Sequence, residues 1–290
     1  MTFNSKIILG TLLIAILFVA CTKEQVPAGL ILNQTISFTD TTYTISQTPA
    51  AQEKVIFFEE ATGVHCLNCP AGAAALQALK VANPNRILSA AVYSKFLNEF
   101  QSPAKYNFNS QDAQDLVEFL GGDPSKPFAA IDRINNGSGY FYDRNDWSTM
   151  VADLLTKSTP LNIDLSVTSF TEYYNLNAKI TFTENIKQDL AISIFLIEDS
   201  VKDLQYFPSS VIDTNYIHNH ILRKIVTPLT GISFLQEAST KYKGMVLERR
   251  FTNIRIPNTI IDKKHCKLVC FVNKVGTSKE IIHVQEIDLP

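Results

Sequence analysis

The sequence lacks the features by which proteins bind nucleic acids. It has no run of basic residues and no basic helix face, and 26 Lys and Arg against 28 Asp and Glu leave a formal net charge of −2. Such a surface does not attract polyanions, so no nucleic-acid partner is expected. Internal repeats and low-complexity tracts are also missing. With 290 residues and 46% hydrophobic content, the chain can instead bury one core or two.

A long hydrophobic run is absent as well. The apolar segment near the N-terminus covers residues 7–20 after Lys6, which is short for a membrane span and has the layout of a secretory signal. It ends at Ala20-Cys21, a pair that resembles a bacterial lipobox. Residues 1–20 are therefore predicted to be a signal peptide, and residues 21–50 a lipidated N-terminus and tether that begins at Cys21. Association with the membrane is expected through this N-terminal lipid.

Cysteine is scarce, with five in the chain, and two of the five form the C-x-x-C pair Cys66 and Cys69. The pair follows an apolar strand over residues 55–58 and precedes an Ala-rich helix predicted from about residue 68. At a helix N-terminus the dipole and the unpaired backbone N–H groups stabilise a thiolate. Cys66 is therefore the candidate nucleophile. Cys69 lies one turn deeper on the same side, so it is the candidate resolving thiol.

Two other interpretations of the pair are open on sequence alone. A zinc site needs two further ligands, and His65 is poorly placed to share an ion with the adjacent Cys66. His218 and His220 could share an ion only with a third ligand, and none is in evidence, so neither a metal nor a cofactor is expected. A permanent structural disulfide is the stronger alternative, because a C-x-x-C loop in an oxidising compartment closes readily without any chemistry.

Residues 51–159 alternate between strand and helix patterns. A buried-strand pattern at residues 87–93 follows the Ala-rich helix, which predicts a β-α-β unit. Pro127 directly precedes a strand over residues 128–133, and X-Pro bonds alone reach the cis form at low cost, so the Lys126–Pro127 bond is expected to be cis. This order of elements resembles a thioredoxin fold. The resemblance implies that Pro127 lies beside the cysteines and helps to hold an extended substrate segment.

From residue 160 the hydrophobic period changes to two, which is typical of half-buried antiparallel strands. Strands are predicted at residues 161–168, 176–183, 190–197, 245–251, 268–272 and 281–287. They suffice for an immunoglobulin-like β-sandwich over residues 160–290. The predicted fold class is therefore an α/β thioredoxin-like domain followed by an all-β immunoglobulin-like sandwich domain.

Four segments together resemble the outer-membrane-protein-28-related (Omp28-like) lipoproteins of Gram-negative bacteria. They are EEATG at residues 59–63, the C-x-x-C-P run, residues 127–133, and HNHILR at residues 218–223. The resemblance covers nearly the whole mature chain. It implies an exported protein of the cell envelope, lipid-anchored at the outer membrane on its periplasmic or surface face, and it implies location and fold more than mechanism.

Two further pairs of side chains are singled out by their spacing. Glu59 and Glu60 point to opposite faces of the first strand, so one of them could approach the cysteines as a proton acceptor. Cys266 and Cys270 lie about 13 Å apart in an extended strand, which no disulfide spans. They are predicted to be thiols of the hydrophobic core.

The residues support two functions of different classes. In the first, the protein is a thiol–disulfide oxidoreductase that acts on exported proteins, where Cys66 attacks, Cys69 resolves and Pro127 positions the substrate. In that case Cys66 should be partly exposed and Cys69 buried. In the second, the protein is a non-catalytic interaction lipoprotein of the outer membrane or cell surface. Its thioredoxin-like part is then a scaffold, its 66–69 disulfide is structural, and exported proteins are binding partners.

Overall fold

The computed structural model describes residues 36–290, so the predicted signal peptide and the predicted lipidation site Cys21 lie outside the described residues. This part of the chain forms three α-helices, α1 (Cys69–Ala82), α2 (Gln111–Phe119) and α3 (Trp147–Leu155). Its strands are β1 (Ser37–Thr44), β2 (Ile56–Ala61), β3 (Ile87–Val92), β4 (Phe128–Ile131), β5 (Phe141–Asp143), β6 (Leu161–Ser169), β7 (Tyr173–Phe182), β8 (Leu190–Glu198), β9 (Val201–Phe207), β10 (Val211–His218), β11 (Ile221–Ile225), β12 (Ile232–Phe234), β13 (Met245–Arg255), β14 (Cys266–Lys274) and β15 (Ile281–Asp288). None of the helices between residues 36 and 290 combines the length and the apolar character needed to span a bilayer.

The largest sheet contains nine strands and draws on both halves of the chain. Its order is β15-β14-β8-β11-β3-β2-β4-β5, with β12 paired to β8. β2 and β3 run parallel and are joined by α1, so the predicted β-α-β unit is present. On the other edge of β3, Ile221 of β11 pairs in parallel with Ala91. The sheet continues from there through strands that all lie beyond residue 160.

The predicted fold class, an α/β thioredoxin-like domain followed by an all-β immunoglobulin-like sandwich domain, is wrong. The protein is mostly β-sheet, and strands from both sides of residue 160 form hydrogen bonds in one sheet. The physical reason lies in β8, which is buried at all nine positions. It pairs with β14 along one edge and with β11 and β12 along the other. A strand that is covered on both faces belongs to the interior of a large sheet.

A second, four-stranded antiparallel sheet has the order β1-β13-β7-β6 and packs on the C-terminal part of the large sheet. The core between them contains Leu176 and Phe251 from the small sheet and Ile194 from the large one. Cys266 and Cys270 of β14 point into the same core as free, buried thiols, which confirms their prediction as core residues. The third sheet is the two-stranded hairpin of β9 and β10.

The helices cover both faces of the sheet around β2. On one face, Phe58 of β2 packs against Leu76 of α1 and Trp147 of α3, and the rings of Phe58 and Trp147 meet edge to face at 5.7 Å. On the other face, Phe57 packs in one cluster with Leu116 of α2. Because β2 and α1 follow one another directly, the end of β2 and the beginning of α1 lie side by side and enclose the C-x-x-C loop.

Candidate functional site

Cys66 and Cys69 form a disulfide at the beginning of α1. Their Cα atoms are 5.4 Å apart. Cys69 is the first residue of the helix, and Pro70 occupies the first turn, where its missing N–H is tolerated. Cys66 lies in the loop that follows β2. The pair is therefore at the positive end of the α1 dipole, which stabilises a thiolate once the disulfide is reduced.

The hairpin of β9 and β10 covers the C-x-x-C loop. The amide nitrogen Nε2 of Gln205, which carries two N–H donors, lies 3.2, 3.0 and 3.1 Å from the backbone carbonyl oxygens of Gly63, Val64 and Cys66. The backbone N–H of Tyr206 also donates to the Val64 carbonyl at 3.0 Å. As a result both cysteines expose only 2% of their surface. The burial expected for the resolving thiol is observed, whereas the exposure expected for Cys66 is not.

The segment after β3 supports the loop from another side. The backbone N–H of Val64 donates to Oδ1 of Asn98 at 2.8 Å. A Cβ added to Gly63 would lie 2.9 Å from the carbonyl oxygen of Leu97, so this close approach of two backbones requires glycine. Between the cysteines the loop reaches solvent, where the Leu67 side chain is 46% exposed.

Glu60 is a buried carboxyl near the end of β2, on the side that faces α1. It is 5% exposed, and its Oε1 has no hydrogen-bond partner among the described residues. Burial raises the pKa of the Glu60 carboxyl to about 7, and the Lys80 ammonium opposes this rise. Gly72, one turn after Cys69, leaves room for the carboxyl. A Cβ on Gly72 would lie 3.1 Å from Oε1 of Glu60 and 2.7 Å from Cβ of Pro127.

Glu59 lies on the opposite face of β2, as strand alternation requires. It forms a buried ion pair with Arg133, in which Nη2 and Nε of the guanidinium lie 2.6 and 2.9 Å from Oε1 and Oε2. The guanidinium stacks over the rings of Phe119, Phe195 and Phe271 at 5.6, 5.9 and 5.0 Å. The geometry therefore favours Glu60 over Glu59 as the carboxyl available to the cysteines.

Pro127 lies against α1, where its ring occupies the space left by Gly72. The Lys126–Pro127 bond is cis, which confirms the prediction for this bond. Pro127 also lines a surface cleft of about 230 Å³ together with Asn68, Arg144 and others. Because Asn68 belongs to the exposed turn between the cysteines, this cleft runs from Pro127 to the C-x-x-C loop.

A larger cavity of about 420 Å³ lies between α1, the ends of β2 and β3, and the β9–β10 hairpin. Cys69, Glu60 and Lys80 line it, and Tyr216 contributes part of the hairpin wall. Cys66 is not among the described residues that line this cavity or the cleft at Pro127. The cavity therefore reaches the disulfide from the Cys69 side, next to the buried carboxyl.

His218 and His220 are held by hydrogen bonds at the edge of this cavity. Nδ1 of His218 lies 2.8 Å from the Tyr93 hydroxyl, and burial lowers the pKa of His218 to about 4. The backbone N–H of His220 donates to Oδ1 of Asp199 at 2.6 Å, and Nε2 of its ring lies 2.9 Å from Nζ of Lys80. Nδ1 of the ring is 2.8 Å from the same Asp199 oxygen but makes no hydrogen bond within the described chain. Over residues 36–290 no group of three metal-ligating side chains comes together. The described contacts of the two rings are thus with protein groups, the Tyr93 hydroxyl for His218 and the Lys80 ammonium for His220.

Comparison with known proteins identifies the family. The sequence profile of the family described as outer membrane protein Omp28 matches residues 122–289, which is more than half of the chain. The chain belongs to the Omp28 family. Family membership confirms the predicted location in the cell envelope, at the outer membrane. The matched range includes Pro127 but begins after Cys66 and Cys69, so the family match does not cover the disulfide. No curated protein matches this Omp28-family chain.

Solved structures resemble the Omp28-family chain at low sequence identity. HBP35 of Porphyromonas gingivalis matches with a TM-score of 0.62 and 15% identity, over 83% of this chain and 77% of that one. The protein AGR_C_4864 from Agrobacterium tumefaciens matches with a TM-score of 0.51 and 11% identity, over 82% and 96%. A domain of the outer membrane lipoprotein Omp28 from Porphyromonas gingivalis matches with 18% identity and a TM-score of 0.31, over 45% and 88%. At these identities the first two likenesses show the fold alone.

Sequence reasoning missed the residues that close the site of this Omp28-family protein. Gln205 and Asn98 hold the C-x-x-C loop from two sides, and Lys80 lines the same cavity as Glu60. Gln205 lies well over a hundred residues beyond the cysteines, in a strand with no motif around it. Lys80 could have been noticed in the sequence, because it is a charged residue in a helix whose other residues are mostly Ala and Leu.

Proposed function

We propose that this Omp28-family protein exchanges disulfides with exported proteins through Cys66 and Cys69. The observation that carries the proposal is the position of Glu60, a buried carboxyl without a hydrogen-bond partner among the described residues, in the cavity that Cys69 lines. A disulfide that only crosslinks the fold gains nothing from such a neighbour, because burying an unpaired carboxyl destabilises the protein. A resolving thiol gains a proton acceptor whose pKa, at about 7, suits neutral pH.

The exchange has two steps, and each conserves electrons. In the reduced protein the Cys66 thiolate attacks a disulfide of the exported partner, which forms a mixed disulfide and releases one partner thiolate. The Cys69 thiolate then attacks the Cys66 sulfur, which closes the 66–69 disulfide and releases the second partner thiolate. The partner is reduced and the pair is oxidised. The same steps in reverse transfer the disulfide to the partner.

Glu60 and Pro127 have separate roles in this scheme. Glu60 accepts the proton of the Cys69 thiol before the second step and returns it when the pair is reduced again. The cleft lined by Pro127 and Asn68 holds the partner segment next to the loop. Access to Cys66 requires the Gln205 hydrogen bonds to open, because that side chain ties the loop to the hairpin.

A trapping experiment tests the proposal. Cys69→Ser removes the resolving thiol, so mixed disulfides through Cys66 should accumulate with exported proteins and appear on non-reducing gels as bands that a reductant removes. Cys66→Ser is the matched control and should trap none, because it removes the attacking thiol. Cys270→Ala, which removes a free core thiol without burying a hydroxyl, should behave as wild type.

The second candidate function is the interaction lipoprotein with a structural disulfide. The 2% exposure of both cysteines is the observation that favours it. If Cys69→Ser captures nothing above the Cys66→Ser background, this second function replaces the first. If only Cys66→Ser captures partners, the assignment of attacking and resolving thiols is wrong.

Lipidation of Cys21 remains a prediction that can be tested separately. A fatty acid supplied in the medium should label the protein, and Cys21→Ser should abolish the label and release the protein from the membrane fraction. The expected release is complete, because each buried methylene of the acyl chains contributes about 0.8 kcal/mol to membrane binding. Cys270→Ala should keep the label. Label that persists in Cys21→Ser would contradict the assignment.

A further inference from the structure

The β9–β10 hairpin has a bulge between its base and its tip. Gln205 of β9 pairs with Asp213 of β10. Asp203, two residues earlier, pairs with Tyr216, so between these pairs two residues of β10 lie opposite one residue of β9. A bulge of this kind interrupts the ladder of hydrogen bonds and bends the strand that carries it. We call residues 201–204 and 214–218 the root half of the hairpin and residues 205–213 its tip half.

The root half is firmly attached to the rest of the fold. Val201 and Leu204 are buried in one cluster with Phe108. The Asp203 carboxylate accepts the backbone N–H of Tyr106 at 2.8 Å. Moving this half would expose apolar side chains and leave a buried carboxylate without its donors, and both changes are costly.

The tip half is attached to the C-x-x-C loop by few contacts in the described chain. Nε2 of the buried Gln205 lies within 3.2 Å of three backbone carbonyl oxygens of the loop, and the backbone N–H of Tyr206 donates to one of them at 3.0 Å. The Tyr206 ring meets the His65 ring edge to face at 4.7 Å. Beyond these contacts Phe207 borders the cavity of about 420 Å³, and residues 208–212 are exposed. Lifting the tip half therefore breaks little packing.

Disulfide exchange requires the Cys66 sulfur to meet a disulfide of the partner. Cys66 is buried, and Nε2 of Gln205 lies 3.1 Å from its carbonyl oxygen. Lifting the tip half uncovers the loop from this side, and the bend costs least at the bulge, where the ladder is already interrupted. Local openings of this kind need less free energy than global unfolding.

We propose that the tip half is a flap that bends at the bulge, and that Gln205 is the positioning residue that holds this flap closed over Cys66. The proposal rests on the disulfide exchange proposed above, because it specifies the step that admits the partner. The root half stays in place while the flap opens. The strength of the Gln205 hydrogen bonds then sets the fraction of time for which Cys66 can react.

The reaction of Cys66 with a small aromatic disulfide, dithiobis(nitrobenzoate), tests the flap. In Cys69→Ser, Cys66 is a free thiol; its thiolate attacks the probe, forms a mixed disulfide and releases one coloured nitrothiophenolate. Gln205→Met in this background removes both N–H donors and keeps a side chain of similar length. It should raise the second-order rate at least tenfold, because the closed flap loses its hydrogen bonds. The pH at which the rate is half-maximal should not change, since the position of the thiol at the α1 N-terminus is kept.

Gln77→Met in the same background is the matched control. Gln77 is an exposed glutamine of α1 that borders the same cavity, so its substitution should leave the rate unchanged. A Cys66→Ser, Cys69→Ser double variant measures the reaction of the core thiols, which is subtracted.

Hydrogen exchange of the oxidised protein locates the bend without any free thiol. In Gln205→Met the backbone N–H of Tyr206, in the tip half, should exchange at least tenfold faster than in wild type. The backbone N–H of Tyr106, which Asp203 of the root half accepts, should exchange at the wild-type rate.

Three results would each overturn the proposal: an unchanged probe rate in Gln205→Met, an equal rise in Gln77→Met, or equal acceleration of exchange at Tyr206 and Tyr106. The aromatic disulfide takes the place of the exported partner in this assay. A faster probe reaction in Gln205→Met therefore supports the flap even where Cys69→Ser traps no exported protein, so failure of the flap and failure of the exchange function are distinguished.

Discussion

Arg133→Met is expected to lower the free energy of unfolding by about 3–5 kcal/mol, because it leaves the Glu59 carboxylate buried without its partner. The guanidinium and Glu59 are each about 1% exposed or less at their side chains. The substitution also removes the contacts of the guanidinium with Phe195 of β8 and Phe271 of β14. Because those rings belong to strands from the second half of the chain, the substitution should destabilise the whole large sheet and not only its first half. Chemical denaturation followed by circular dichroism measures it.

The matched control is Lys157→Met, which breaks the exposed pair with Asp153. Its effect should be about 0.5 kcal/mol or less, as is usual for exposed pairs one helical turn apart. The fluorescence of Trp147, the one tryptophan of the chain, should change at the same denaturant concentration as the circular dichroism in both variants. A loss below about 1 kcal/mol in Arg133→Met, or separated transitions, would contradict the single sheet.

Glu60→Gln is expected to change the pH dependence of stability. The pKa of the Glu60 carboxyl is raised from 4.5 to about 7 by burial, so the folded protein holds a proton that the unfolded chain releases between these values. Stability from this group is fully present below pH 4.5 and is lost as the pH rises through 7. The total loss is about 3 kcal/mol. Glutamine does not ionise, so the variant should gain about that much relative to wild type between pH 4.5 and 7.5.

Measuring the difference between variant and wild type isolates this group. Burial lowers the pKa of His218 from 6.5 to about 4, so the contribution of that side chain to stability also changes within the window, but it does so in both proteins. Burial lowers the pKa of Lys80 to about 8, which lies above the window. Glu53→Gln, at an exposed carboxylate, should give a flat difference. A flat difference for Glu60→Gln as well would show that the carboxyl is not buried as described.

Much of the local structure follows from the sequence. The apolar run before Cys66 and the alanines after Cys69 place the pair between a strand and a helix, and alternation along β2 separates Glu59 from Glu60. Beyond residue 160 the sequence predicts β6, β7, β8, β13, β14 and β15, whereas β9, β10, β11 and β12 are not predicted. These features depend on neighbouring residues only, which is why periodicity can find them.

The pairing of strands could not be obtained in the same way. The five residues of β11 carry no pattern that predicts the pairing of Ile221 with Ala91 of β3. This pairing joins the strands from before residue 160 to those from after it in the large sheet. The run LAISIFLIE at β8 was the available signal, because a strand with so few polar positions is typically covered on both faces. The hairpin over the cysteines was equally hidden, since its contact depends on Gln205 meeting backbone carbonyls far away in sequence.

The reduction potential of the 66–69 pair tests the proposed exchange most directly. Wild-type protein equilibrated at pH 7 in dithiol buffers of graded potential, then alkylated, gives the potential at which half of the pair is reduced. We expect a value above about −270 mV, because the α1 N-terminus stabilises the thiolates of the reduced form. A value below about −300 mV, typical of structural disulfides, would contradict exchange and leave the interaction lipoprotein as the function.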